Sequence, residues 1–161
     1  MLQFFRDPKR NAVNKKNIVT SAADGRVIAI EKTVDPYQKK QSIKVSVFMN
    51  VFNVHSNKIP ITGEIIEKFY YPGKFLNASL SKASLENERC AIIIKTKDKK
   101  IITCVQIAGL IARRILCYRE IKDHVSIGER YGFIRFGSRV DLYLPLNASV
   151  KVILGQRVKN T

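Results

Sequence analysis

The sequence predicts a mainly β (α+β) fold: a single compact domain of short strands forming a sandwich or barrel, with one or two short helices. Three observations predict it. β-Branched apolar runs of strand length recur along the chain, punctuated by Gly, Pro, Asn and Asp. One stretch near the C-terminus alternates apolar and polar residues at period two, which puts one face of a strand in a core. The chain has 161 residues, 45% hydrophobic and 26% charged, a size and composition suited to one domain that needs no disulfide framework.

The elements follow in order. The N-terminal segment is basic and turn-rich, with Arg6-Asp7-Pro8-Lys9-Arg10 ahead of Lys15-Lys16-Asn17. The turn pair Asp24-Gly25 leads into the strand run Val27-Ile28-Ala29-Ile30. Ile43 to Phe52 reads as a strand buried in part on both faces. Pro60 and Gly63 punctuate, and Ile61 to Tyr71 reads as a further strand pair. Ser79 to Cys90 breaks the β pattern. Ser79, Ser81 or Ser84 is suited to cap a short helix there, with Glu86 and Glu88 near its start or on its surface. Ala91 to Thr96 and Ile101 to Ile107 read as strands joined by the polar loop Lys97-Asp98-Lys99-Lys100, and Leu110 to Tyr118 reads as strand. From Phe133 to Leu144 one parity is Ile134, Phe136, Ser138, Val140, Leu142, Leu144; the other is Phe133, Arg135, Gly137, Arg139, Asp141, Tyr143. That alternation predicts a strand with Ser138 on its apolar face. Val150 to Val158 repeats a short β pattern around Gly155.

The charge balance is unusual. Twenty-nine Lys and Arg face thirteen Asp and Glu, a formal +16 with a pI near 10.0. Such a field attracts nucleic acid, an anionic membrane face or an acidic substrate, and charge alone does not choose among them. Cys90, Cys104 and Cys117 are widely spaced with no CxxC pair, so a metal site is not expected and reduced thiols of a cytoplasmic protein are. No apolar stretch approaches the roughly 20 residues that cross a bilayer, so contact with a membrane is expected from the side or through a segment missing from this sequence.

Three places carry candidate chemistry: Asp24, His55 and the pair Gly137-Ser138. An imidazole can take a serine proton while a carboxylate fixes its tautomer and balances its charge. Gly137 adds backbone freedom at the carbonyl next to the hydroxyl. If Ser138 Oγ attacks that carbonyl, an N-to-O acyl shift gives an ester. β-Elimination and hydrolysis then leave a pyruvoyl group at a new chain end. The plainer alternatives are a satisfied core hydroxyl at Ser138 and a strand bulge at Gly137. His124, in Lys122-Asp123-His124, reads as a solvated loop residue.

Six blocks then run in order over almost the whole chain. They are Phe4 to Pro8, Ser21 to Val27, Val47 to Pro60, the paired stretches Lys82 to Ser84 and Glu86 to Arg89, Ile107 to Arg114, and Arg135 to Pro145, the last containing Arg135-Phe136-Gly137-Ser138-Arg139. With them the sequence resembles the short bacterial and archaeal class of phosphatidylserine decarboxylase proenzymes. The resemblance implies a carboxy-lyase of phospholipid biosynthesis whose cofactor is a pyruvoyl group made from Ser138. It implies self-cleavage between Gly137 and Ser138, giving a β chain of residues 1–137 and an α chain of residues 138–161 that stay together as a heterodimer, with higher homo-oligomers open. Asp24 and His55 would assist cleavage, decarboxylation or both. The substrate amine would form a Schiff base with the ketone, and His55 would return a proton. Lys58 stands where longer members carry a second histidine, and relatives carry an apolar segment ahead of the Phe4 block.

The implied partners are phosphatidylserine and the anionic membrane surface that holds it, met peripherally on the cytoplasmic side of the cell membrane. Basic residues near such a surface are worth about 1 kcal/mol each, and Arg6, Lys9, Arg10, Lys15 and Lys16 are candidates. Arg135 and Arg139 are candidates for the lipid phosphate, with ion pairs to Asp141 or Glu129 as the alternative. Two other classes compete less well. A nucleic-acid-binding β-barrel suits the charge but lacks any recognised motif. A biotinyl-type carrier domain lacks a lysine in a tip motif.

Overall fold

The computed structural model describes residues 18–50, 56–110, 114–134 and 137–160. Asp24-Gly25 opens β1 (Gly25–Asp35), and Asp35 ends it. Its buried carboxylate accepts the N–H groups of Tyr37 and Gln38 at 2.8 and 3.1 Å and the Thr103 hydroxyl at 2.6 Å. Lys39, at φ 57, completes the turn into β2 (Lys40–Met49). The remaining elements are β3 (Ser56–Lys58), β4 (Gly63–Tyr71), α1 (Ala83–Glu86), β5 (Arg89–Lys95), β6 (Ile101–Ile107), β7 (Ile115–Cys117), β8 (His124–Val125), β9 (Arg130–Ile134), β10 (Ser138–Leu144) and β11 (Arg157–Val158).

Among the described residues the pairings between these strands are all antiparallel. One sheet has the order β11-β1-β2-β10-β6-β5-β4-β8, and a smaller one has the order β3-β9-β7. Register shifts between Val27 and Ala29 and between Ile65 and Glu67 mark bulges, which bend a strand and raise its twist. The large sheet curls into a half-barrel, and the main core lies between it and the small sheet. Val45, Val47, Ile92, Cys104 and Leu142 from the large sheet share one buried cluster with Ile59, Tyr131 and Ile134 from the small sheet and its margin. A second cluster on the other face joins Ala83 of α1 to Ala91, Val105, Ile107 and Tyr143.

The mainly β expectation stands, with four local differences. The alternating run from Phe133 to Leu144 is two strands in two sheets, β9 and β10, because the chain changes sheets just before Ser138. Ile61 to Tyr71 holds one strand, β4, since the Pro60 turn region extends to Thr62. The short helix begins after Lys82 and has no side-chain cap. Ser79 Oγ instead donates to Asn77, and Ser84 Oγ to Asp141 at 2.7 Å. Val150 to Val158 yields only the two-residue β11, because Ile153 to Gln156 forms a turn with Gly155 at φ 83.

The largest fully buried side chain is Arg139. It sits on the face of β10 opposite the core, against the segment that carries α1. Its Nε donates to Asp141 Oδ1 at 2.6 Å, Nη2 to Ser46 Oγ at 2.9 Å, and Nη1 to the Leu80 and Ala78 carbonyls at 3.2 and 3.4 Å. The pair therefore fastens the 78–84 segment onto the sheet. Breaking a buried pair by removing one partner strands the other charge, at a cost of about 3–5 kcal/mol. Asp141→Ala, compared with its parent in a Ser138→Ala background, is expected to lose that much stability by urea unfolding.

Candidate active site

Ser138 is the first residue of β10 and is wholly buried. Its neighbours on the inward face are apolar: Met49 lies opposite it on β2, and Val140 and Leu142 follow on its own strand. Among the described residues its hydroxyl has no hydrogen-bond partner. A buried hydroxyl normally finds one, and leaving it unpaired costs about 1–3 kcal/mol. The bland alternative, a satisfied core serine, does not describe this geometry.

Gly137 presents the adjacent carbonyl. Its φ is 75, a left-handed value that L side chains rarely adopt. Its N–H donates to the Met49 carbonyl at 3.0 Å, which ties the peptide to the end of β2. Among the described residues nothing lies within 4 Å of where a Cβ would stand, so the glycine is required by the backbone angle and not by crowding.

The register shows what gathers at this end of the sheet. Arg26, Phe48, Arg139, Ile107 and Arg89 form one cross-strand row. One step further out lie Gly25, Met49 and Ser138, and Asp24 follows directly. Two strand spacings separate β1 from β10, about 10 Å between backbones. Asp24 is buried and accepts the Asn160 N–H at 2.8 Å, while Asn160 Nδ2 donates to the Ser56 carbonyl at 2.8 Å. Asn160 thus links Asp24 to the start of β3. His55 and Arg135 lie outside the described residues. His124, read as a loop residue, pairs with Glu64 in β8 and is exposed.

Arg139, a candidate for an anion, has its guanidinium committed to Asp141, Ser46 and two carbonyls on the opposite face. Of the two readings offered by the sequence, the ion pair with Asp141 is the one formed; Glu129 pairs with Arg119 at 3.0 Å.

Sequence reasoning missed three features. Gln106, buried on β6 beside Val140, donates to Asn57 Oδ1 at 2.8 Å while its own Oε1 is unpartnered among the described residues. Asn57 Nδ2 in turn reaches Met49 Sδ at 3.9 Å. Polar residues in otherwise apolar strands were the available signal. Gly109 approaches the Gly137 carbonyl, a contact no local pattern encodes. A cavity of about 540 Å³, lined largely by apolar side chains including Val27, Val45, Val47, Ile102, Leu142 and Leu144, occupies the same inward face further along β10.

The fold and site define a mainly β domain with a curled sheet, in which a left-handed glycine precedes a buried serine hydroxyl that has no partner among the described residues. A model of the phosphatidylserine decarboxylase family matches residues 1–160. The chain is 55% identical, over its whole length and 75% of the relative's, to the phosphatidylserine decarboxylase proenzyme of Ralstonia nicotianae. It is 56% identical to that of Nitrosomonas eutropha, covering 74% of it. It is 55% identical to that of Burkholderia ambifaria, over 98% of this chain and 74% of the relative. The chain belongs to the phosphatidylserine decarboxylase family, a family of carboxy-lyases.

The glycine geometry makes a prediction that is independent of activity. In the Ser138→Ala background, Gly137→Ala is expected to fold and to lose about 1–2 kcal/mol, the cost of a left-handed angle for an L residue. Urea unfolding measures it; an unchanged stability would mean that the positive φ is not adopted in solution.

Proposed function

We propose that the chain is made as a precursor, cuts itself between Gly137 and Ser138, and as a two-chain enzyme converts phosphatidylserine to phosphatidylethanolamine in phospholipid biosynthesis. The carrying observation is the Ser138 hydroxyl, buried and without a partner among the described residues, beside the carbonyl of a left-handed glycine. A hydroxyl held without a hydrogen-bond partner loses nothing of that kind when it attacks.

In the cleavage step Ser138 Oγ bonds to the Gly137 carbonyl carbon. The carbon–nitrogen bond to Ser138 breaks, and the hydroxyl proton moves to that nitrogen. Loss of the Ser138 α-proton expels the Gly137 carboxylate from Cβ and leaves dehydroalanine. Its imine tautomer adds water and releases ammonia, giving a pyruvoyl group at the head of β10. That group supplies an electron-withdrawing carbonyl for decarboxylation of an amine-bearing headgroup. His55 is assigned the proton transfers, because imidazole titrates near neutral pH, and Asp24 is assigned the balancing charge. Burial around Ser138 shields its hydroxyl from bulk water during the acyl shift, ahead of the later step that consumes one water.

The exposed turn before β11 supports a lipid substrate met peripherally at an anionic membrane, on what the proposal takes to be its cytoplasmic side. Ile153 and Leu154, at the turn before β11, are 70% and 62% exposed, and the neighbouring Lys151, Arg157 and Lys159 are exposed as well. Gly155 N–H donates to the Val27 carbonyl at 2.8 Å, so this tip is seated at the same end of the sheet as Ser138. Apolar side chains ringed by cations suit a bilayer interface. The cavity is apolar enough to receive hydrocarbon.

Intact mass measurement of purified protein tests the reading. Two chains are expected, the smaller beginning at position 138 and lacking a free amine. Ser138→Ala is expected to stay one chain and to be inactive, and His55→Ala to slow cleavage or turnover. A single uncut chain in active wild-type protein would overturn the proposal. For the membrane reading, Ile153→Asp with Leu154→Asp is expected to weaken sedimentation with vesicles containing phosphatidylserine, without altering self-cleavage.

A further inference from the structure

We infer that Gly109 is a positioning residue for self-cleavage: its bare Cα forms the floor against which the Gly137 carbonyl is held for attack by Ser138. The inference rests on the self-cleavage reading above and adds to it a residue just past the end of β6 that carries no other assigned role.

A Cβ placed on Gly109 would lie 1.8 Å from the Gly137 carbonyl oxygen and 2.9 Å from its carbon. No side chain can occupy that space while the carbonyl stays where it is. The oxygen therefore sits in the range of a Cα–H···O=C contact, about 3.3 Å from carbon to oxygen. During the acyl shift this oxygen takes up negative charge as the carbonyl carbon becomes tetrahedral. What touches it decides both its position and its stability.

The floor is itself braced. Gly109 follows Ala108, whose N–H donates to the Glu88 carbonyl at 2.9 Å and whose carbonyl accepts from Asn87 Nδ2 at 2.7 Å. The same Asn87 nitrogen donates to the Leu76 carbonyl at 2.7 Å. From the far side, Ala78 Cβ lies 3.3 Å from the point a Gly109 Cβ would occupy, and Arg139 Nη1 holds the Ala78 carbonyl. Gly109 is thus held between a pinned loop and the scissile peptide, with the Gly137 N–H anchored to Met49 at 3.0 Å. Gly137, whose carbonyl is the one attacked, is thus held through its own N–H on one side and its carbonyl oxygen on the other.

The test compares Gly109→Ala with Gly63→Ala, a control whose Cβ would meet the Lys95 carbonyl oxygen at 2.5 Å, away from the site. Rates of appearance of the two chains are followed by mass spectrometry, with and without hydroxylamine. Hydroxylamine attacks the ester formed by the acyl shift, leaving a hydroxamate on Gly137 and an intact Ser138 amine, so it reports ester formation apart from later elimination. Misplacing a reacting group by 1 Å can cost about 100-fold in rate. Gly109→Ala is expected to cleave about that much more slowly, with no rescue by hydroxylamine, while Gly63→Ala cleaves at the wild-type rate.

Wild-type cleavage by Gly109→Ala would overturn the inference, as would full rescue by hydroxylamine or equal slowing in Gly63→Ala. Should Gly109→Ala fail to fold, Ala78→Val presses on Gly109 without adding an atom at the carbonyl. Slowed, hydroxylamine-insensitive cleavage in that variant supports the inference, and the wild-type rate overturns it. Wild-type protein that never cuts sinks the proposed function itself; wild-type protein that cuts, with indifferent variants, sinks only the role of Gly109.

Discussion

One peptide has to leave the small sheet and join the large one, and the arrangement around it follows from that constraint. The link between β9 and β10 ends at Gly137, whose left-handed angle turns the chain so that Ser138 begins a new strand facing inward. The Gly137 N–H is fixed by Met49 and its carbonyl by Gly109. The hydroxyl beside that carbonyl is left without a partner among the described residues. A local backbone requirement and a buried reactive group therefore meet at one bond, where an unmet hydrogen bond favours change.

The outer face of the same strand explains how so exposed a demand is met. Residues 138 to 144 alternate between an apolar inner face and a polar outer one, and the outer one is buried too. Arg139 and Asp141 satisfy each other and reach Ser46, Ser84 and two loop carbonyls. A buried ion pair is poor value as stability but good at fixing one arrangement. It holds the loop whose Ala78 and Asn87 brace Gly109. The pair thus acts on the candidate site from the far side of the sheet, without facing Ser138.

The inner face and the C-terminal turn serve a different need. The core leaves a cavity lined with branched side chains along β1, β2, β6 and β10, and the turn before β11 leaves Ile153 and Leu154 in solvent among lysines and an arginine. With a formal charge of +16, the chain combines long-range attraction for anions with apolar contact at short range, the pairing that the proposed lipid substrate would use.

The sequence by itself determined the β character, the inward parity of Ser138, the hairpin over Lys97 to Lys100 and the glycine ahead of the serine, because each is written in neighbouring residues: period two, turn pairs and missing Cβ atoms are local signals. It also placed Asp24 before a strand, as the structure has it. It did not determine that Phe133 to Leu144 divides between two sheets, since a strand's alternation reads the same whichever partner it pairs with. Nor did it choose between a phosphate and Asp141 for Arg139, or bring Gly109 against Gly137. Those were decided by tertiary structure, because ion pairs and close backbone approaches depend on distances between residues far apart along the chain, which no window of sequence contains.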